Sequence, residues 1–578
     1  MVQGDIEKSA AGSVERSWLP YLWIIGASAL AHLWCLGSVF YLDDRMAIRD
    51  NEIVRNGHFW EYGLSAWTGL GYVIQYRLFG LSAVGFHAVN WVLHTSVACV
   101  VFGFGRDFLR DRWPAGVALF AALLFAVHPL ASEIPNYART QDLAWVTLFS
   151  LLAAWAVLGF LRNGGWWKLV GCVVCIAGAM FSKGPGLFHA LMMVGTIGLV
   201  TISPSHWKML RQKAWILIGF LAIIAAAMWR VGLIDSLPDT SNPRLIGHAY
   251  TLSRVFWEFA WRSVVPVALS SDHEITETLM PAGGGVFPIP DTVAMFAALA
   301  FLALAAFSVF LAWRKSTRLF GVCLLLYVAS ILFRVFYLIP EFMPEYRIYP
   351  GLPWFCLGAA IMLAAGWRTL FETLSPRVPA LILLTVFAGL SAKRSFVWHD
   401  LDRLAGDVLK RYPARARAIW ELHQRDVEQQ NWHAVIERQR QVWPEVERRF
   451  VNENQRLAPA REIPSGDFVL AMVAIFGNYA RAVSHVESPA AGLRVIAQLE
   501  VHMKQMKMTP KAKPLEWAYF YHAKAMVLES AGKFQAAIDV LHQPEFMPQN
   551  WQVDLERLGM KLATPQGKTD SNPPIPAK

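Results

Sequence analysis

Charge is scarce in this chain. Asp, Glu, Lys and Arg make up 17% of its 578 residues, against about 25% in soluble domains. The shortage is confined to residues 18–392, where long apolar runs dominate; beyond 392, Arg, Glu, Gln and Lys return. Asn-x-Ser and Asn-x-Thr triplets are absent throughout, which points to a bacterial periplasm rather than a glycosylating lumen for the exported parts. Cysteine is limited to six residues, Cys35, Cys99, Cys172, Cys175, Cys323 and Cys356, all in apolar stretches. No disulfide is implied. Cys172 and Cys175 form a C-x-x-C inside an apolar run of helix length, and no second pair exists to complete a four-ligand zinc site. They read as small buried side chains one turn apart, and no metal site is expected.

What is abundant is apolar residue, 55% of the chain with 25 Trp and 35 Phe. Spanning a bilayer takes roughly 20 apolar residues. About eleven such runs occur, near 18–40, 82–105, 114–127, 143–161, 166–181, 185–202, 214–231, 292–313, 319–339, 353–367 and 378–392. A further stretch, 248–269, is broken by Arg254, Glu258 and Arg262 and reads as interfacial or re-entrant. The net charge of +10 does not signal nucleic acid, because much of it sits in short loops between spans. Arg106, Arg110 and Arg112 share one loop; Lys208, Arg211 and Lys213 share another; Arg314, Lys315 and Arg318 share a third. With eleven spans these loops fall on one side, which the positive-inside rule makes cytoplasmic.

The chain therefore divides into a cytoplasmic tail 1–17, a membrane domain 18–392, a soluble helical domain 393–563 and a disordered tail 564–578. Loops 41–81 and 232–291, the segment 128–142, the turn at Lys183, the segment 340–352 and the soluble domain all face outward. The expected fold is a polytopic all-α membrane protein with a C-terminal all-α domain.

Four external segments carry groups capable of chemistry. Asp43 and Asp44 follow the first span. A carboxylate there can take a proton from an acceptor hydroxyl, or simply end a solvated loop beside Arg45 or Arg49. Adjacent residues of an extended segment point to opposite faces, so one aspartate is expected to face the acceptor and the other to hold the loop. His128, Glu133, Arg139 and Asp142 crowd the segment before the fourth span, as a site or as an interfacial polar network. Lys183 stands in the turn Phe181-Ser182-Lys183-Gly184-Pro185-Gly186. A lysine there either snorkels to headgroups or meets a phosphate that the glycines let approach closely. Glu345 and Arg347, in Glu345-Tyr346-Arg347-Ile348-Tyr349-Pro350, offer bidentate phosphate binding or an interface anchor with the tyrosines.

In that order these segments resemble the transmembrane and tetratricopeptide-repeat-containing (TMTC) glycosyltransferases, related to the protein O-mannosyltransferases of the GT-C class. FYLDDRMAIRDN at 40–51 is similar to the family's first-loop motif, HPLASE at 128–133 to its His-Pro…Glu segment, and FSKGPG at 181–186 to its Cys-Lys-Glu turn, with Gly184 replacing the acidic residue. PVALSSDH at 266–273 and EYRIYPGLP at 345–353 match two further segments, and 395–417 resembles the join to the repeats. The resemblance implies a GT-C-like fold and an inverting transfer from a polyprenyl-phosphate-linked sugar. Asp43, the first acidic residue of the pair, would be the base, with Asp44 its rival. Lys183 would hold the lipid phosphate, with Arg347 and Arg139, while His128, Glu133, Asp142 and Glu345 would support them.

In the soluble part, Ala418–Trp443, closed by Pro444, and Trp517–His542 look like tetratricopeptide-type helix pairs, and 470–504 like a poorer one. Stacked pairs form a concave surface that can hold a peptide, so a protein or peptide acceptor is expected beside the lipid donor. A lipid or envelope glycan is the alternative acceptor. A transporter or a scaffold is the alternative class; ionisable mid-span residues, of which Arg334 is the chief one, are few for a transporter. The expected place is a bacterial inner membrane with the site facing the periplasm. The sugar, the acceptor and any divalent metal are not specified by the sequence.

Overall fold

A computed structural model describes residues 18–201, 244–273, 275, 292–336, 343–370, 375–457, 466–506, 508–511, 513–544 and 552–563. The tails 1–17 and 564–578 and the expected span at 214–231 lie outside them. Among the described residues there is no strand. The chain forms two compact units, residues 1–407 and 408–578.

In the first unit the helices are α1 (Leu19–His32), extended by a 3-10 turn at Leu33–Gly37, α2 (Glu52–Asn56), α3 (Ala66–Phe79), α4 (Ala83–Leu109), α5 (Ala115–Ala126), α6 (Glu133–Asn136), α7 (Gln141–Asn163), α8 (Trp166–Ser182), α9 (Gly186–Thr201), α10 (Arg244–Val264), α11 (Thr292–Trp313), α12 (Arg318–Ala329), α13 (Leu352–Leu370) and α14 (Arg377–Val397). Among the described residues, six helices are long and apolar enough to cross a membrane, or seven if α5 and the bent segment after it count as one; α8 and α9 are apolar but shorter. Each expected span that lies in the described residues coincides with helix.

Local chemistry sets the boundaries. Pro114 precedes α5, and Pro376 precedes α14, positions where a missing N–H leaves no bond unmade. Asn51 caps α2 by accepting from the Ile53 N–H, and Gly57 ends it at φ 80°, the left-handed conformation that glycine adopts without strain. The chain bends by 52° between α5 and the segment Pro129–Asn136, because Pro129 cannot continue the α5 ladder and disfavours helical φ/ψ at His128. α7 packs on α8 and α9, α4 on α5 and α7, and α13 on α5 and α12. The bend and the ends of α7 and α8 thus gather polar residues beside the loop after α1.

The unit boundary falls within α15 (Leu401–Arg411), and the second unit goes on through α16 (Ala416–Glu428), α17 (Trp432–Leu457), α18 (Gly466–Val486), α19 (Pro489–Gln505), α20 (Pro514–Ser530), α21 (Phe534–Leu541) and α22 (Gln552–Ala563). Successive helices pack as hairpins, and α18 also packs on α16 and α20. Their core holds Ile419, Val435, Phe476, Leu499, Trp517 and Phe520. Ser488 caps α19 through the Ala491 N–H, with Pro489 at its first position, an arrangement that fixes where the second hairpin turns. α17 runs through Pro444 to Leu457, past the closure expected there.

Candidate active site

The acidic pair does not lie in an extended segment. Leu42 sits at φ 43° and the chain then curls into a π-helical turn at Arg45–Arg49, so opposite faces of a strand are not what separates the two aspartates. Long-range bonds separate them. Asp44 is fully buried; one carboxylate oxygen accepts from the Tyr41 N–H at 3.1 Å and the other from the Arg139 N–H at 2.6 Å. It ties the first loop to the segment before α7. Asp43 is half-buried, and its backbone N–H donates to the Tyr137 hydroxyl at 3.1 Å. Burial pushes the Asp44 carboxyl well above its usual range, and the charge of Asp43 adds to this; the bonds from Tyr41 and Arg139 oppose it.

The segment that Asp44 holds is fixed from several sides. Asn90 on α4 donates to the Ile134 and Tyr137 carbonyls, both at 2.9 Å. The Tyr72 hydroxyl on α3 donates to the Arg139 carbonyl at 3.1 Å. Asn90, Tyr72 and Tyr137 were not singled out from the sequence. Their bonds span 44 to 94 residues and leave no local spacing to read.

Asp142, on the first turn of α7, is 1% exposed. One of its oxygens, Oδ2, accepts from the Arg139 guanidinium and from the Lys183 ammonium, each at 2.8 Å. Lys183 reaches it from the turn between α8 and α9. That turn is closed by the Gly186 N–H donating to the Lys183 carbonyl at 2.7 Å, and a Cβ at Gly186 would overlap the Ala179 carbonyl oxygen, so glycine is required. Arg347 is close enough for its charge to act on Lys183, and Asp43 for its charge to act on Arg139. Desolvation lowers the Lys183 pKa; Arg139 and Arg347 lower it further, and Asp142 opposes them.

Arg347 is placed by two buried glutamates. Glu133 accepts from the Tyr346 N–H at 2.7 Å. Glu345 accepts from the Ser270 N–H and from His273, each at 2.7 Å. The 3-10 turn Glu345–Ile348 is thereby tied to α6 and to the segment 266–273, where Ala268 also stands at positive φ, 57°. The Arg347 guanidinium lies 5.9 Å from the Tyr346 ring centroid.

The structure thus brings together Asp43, Asp44, Arg139, Asp142, Lys183 and Arg347, with Glu133 and Glu345 behind Arg347. His128 is occupied elsewhere: its Nε2 donates to the Ser263 carbonyl at 3.0 Å and its Nδ1 accepts from the Leu130 N–H at 3.2 Å, which secures the bend. Among the described residues no cluster of His, Cys, Asp and Glu could hold a metal ion.

No family model matches the chain. Curated relatives do. A protein O-mannosyl-transferase of Caenorhabditis elegans is 23% identical over 71% of this chain and 62% of its own length. Drosophila melanogaster Tmtc1 is 30% identical over 30% of the chain and 22% of its own length, and Mus musculus TMTC1 33% identical over 24% and 16%; both are named protein O-mannosyl-transferases. The chain spans less than two thirds of each. The resemblance to TMTC-type proteins read from the motifs is borne out by these relatives.

Proposed function

We propose that this TMTC-like chain is a GT-C membrane glycosyltransferase that moves a sugar, mannose by analogy with its relatives, from a polyprenyl phosphate to a hydroxyl of an exported protein. The observation that carries the reading is the convergence of a half-buried carboxylate, Asp43, with Arg139, Lys183 and Arg347 from three separate segments. Transfer needs a base on the acceptor side and cations on the leaving-group side. In this reading the acceptor oxygen attacks the anomeric carbon and Asp43 takes its proton. The bond from that carbon to the phosphate oxygen breaks, and the polyprenyl phosphate leaves with the electron pair. Preorganised cations stabilise its charge in a site shielded from water. Attack opposite the leaving group inverts the anomeric centre. The positive φ of Leu42 beside Asp43 is the kind of stored strain found at functional positions.

The same reading places the site and the helical hairpins of the second unit on the periplasmic side of a bacterial inner membrane, with the hairpins as a tetratricopeptide-type peptide holder. The test is direct. Purified full-length chain in nanodiscs receives polyprenyl-phosphate mannose and a Ser/Thr-rich peptide, and mass spectrometry follows the peptide. A hexose added to the peptide supports the proposal. Hexose on a lipid or glycan acceptor alone would move the assignment to envelope glycans, and no transfer to any hydroxyl acceptor would overturn it.

A further inference from the structure

Asp142 has a geometry that phosphate binding alone does not explain. Two cations 44 residues apart in sequence, Arg139 and Lys183, meet on a single one of its oxygens, each at 2.8 Å. The carboxylate is 1% exposed, while Arg139 and Lys183 keep 30% and 31% of their side-chain surfaces. The negative charge therefore lies behind the positive ones, and an anion arriving from solvent meets the cations first. Two like charges this close would separate without it, since their repulsion grows as the local dielectric falls.

We infer that Asp142 is a positioning residue of the donor pocket, gathering Arg139 and Lys183 about one carboxylate oxygen so that both present to the same lipid phosphate. The inference rests on reading the site as a polyprenyl-phosphate pocket. It has a consequence for pH. The groups facing Lys183 are Asp142 on α7, Arg139 in the turn before it, Arg347 in the 345–348 turn and His189 on α9. Desolvation, Arg139 and Arg347 all depress the lysine, and Asp142 opposes them through charge and hydrogen bond. Without Asp142 the lysine loses its proton, and its hold on the phosphate, at lower pH.

Farnesyl phosphate is the probe, titrated into purified full-length protein in detergent from about pH 7.5 to 10.5, where the probe is ionised and, of the lysine and arginines facing it, only the lysine titrates. Wild-type affinity is expected to fall along an alkaline limb. Asp142→Asn should move that limb down by about 1–3 pH units, the size of the effect of an opposite charge at this range. Asp142→Glu should restore it, and Asp142→Asn combined with Lys183→Arg should abolish the limb, because arginine stays charged. A limb unmoved in Asp142→Asn, or no recovery in Asp142→Glu, overturns the inference while the pocket stands. Unchanged affinity in both Lys183→Ala and Arg139→Ala overturns the pocket itself. If Asp142→Asn does not fold, Asp142→Ser, which also removes the charge, decides: an alkaline limb moved down supports the inference, and a limb at the wild-type pH overturns it.

Discussion

Asp43 and Asp44 are neighbours of one chemical type in unlike surroundings, and the difference predicts different failures. Asp43→Asn keeps the size of the side chain and removes the proposed base. Turnover in the mannosyl-transfer assay should drop by about 10²–10⁴-fold, while farnesyl phosphate binding stays near wild type. Full turnover in this variant would exclude Asp43 as base. Asp44→Ala instead strands the Tyr41 and Arg139 N–H groups, at a cost of about 1–3 kcal/mol for each buried donor left unsatisfied, and should show as a lower melting temperature. Asp44 also gives stability a pH dependence. Its pKa is raised in the folded protein above the unfolded value near 3.9, so its contribution is complete below about pH 3.9 and is lost as pH rises through the folded pKa. Asp44→Asn should flatten that part of the profile of melting temperature against pH; an identical slope would show that another group sets it. The sequence could name the pair but not divide the roles. The division depends on the Arg139 N–H, 95 residues away, and on a curled loop that an extended reading of the segment missed.

Among the elements, the apolar runs made the helices of the membrane unit legible, since length and hydropathy are local properties. The bend after α5 was legible in its cause, Pro129, but not in its size. His128 shows the limit: its place beside a proline in an external segment suggested a site residue, whereas its ring bonds two backbone groups. The 345–348 turn was legible as charged and aromatic, yet what holds it, Glu133 and Glu345, is visible only once α6 and 266–273 meet it. This arrangement predicts a local response. Glu133→Ala should speed hydrogen exchange at the Tyr346 amide by about 5- to 150-fold, corresponding to about 1–3 kcal/mol for the lost buried partner, and weaken farnesyl phosphate binding through Arg347. Exchange at wild-type rate would show that the turn is held by other contacts.

At the scale of the whole molecule, the two units differ in what stabilises them. The second has its own apolar core and no cysteine, so residues 408–578 expressed alone should be soluble, helical and cooperative in thermal unfolding, with one transition unaffected by reductant. A broad, non-cooperative melt would mean that these hairpins need the first unit to fold. The return of charge beyond the apolar runs placed a division at 392/393, whereas the two compact units meet at 407/408; the middle hairpin, of weaker pattern, was harder to see because its core positions are filled by packing from both neighbours. The polar centre of the first unit, by contrast, is scattered along the chain, and that has a consequence in time. Synthesis at about 5–20 residues per second places roughly 15–60 s between the emergence of Asp43 and that of Arg347, some 300 residues later. The clasp between Asp44 and the Arg139 amide can close early, and Lys183 joins Asp142 next. The bond from Glu133 to the Tyr346 amide closes last. A ribosome-bound intermediate would thus carry the acid pair with an incomplete set of cations, and the proposed donor pocket would be complete only once the late segment had docked.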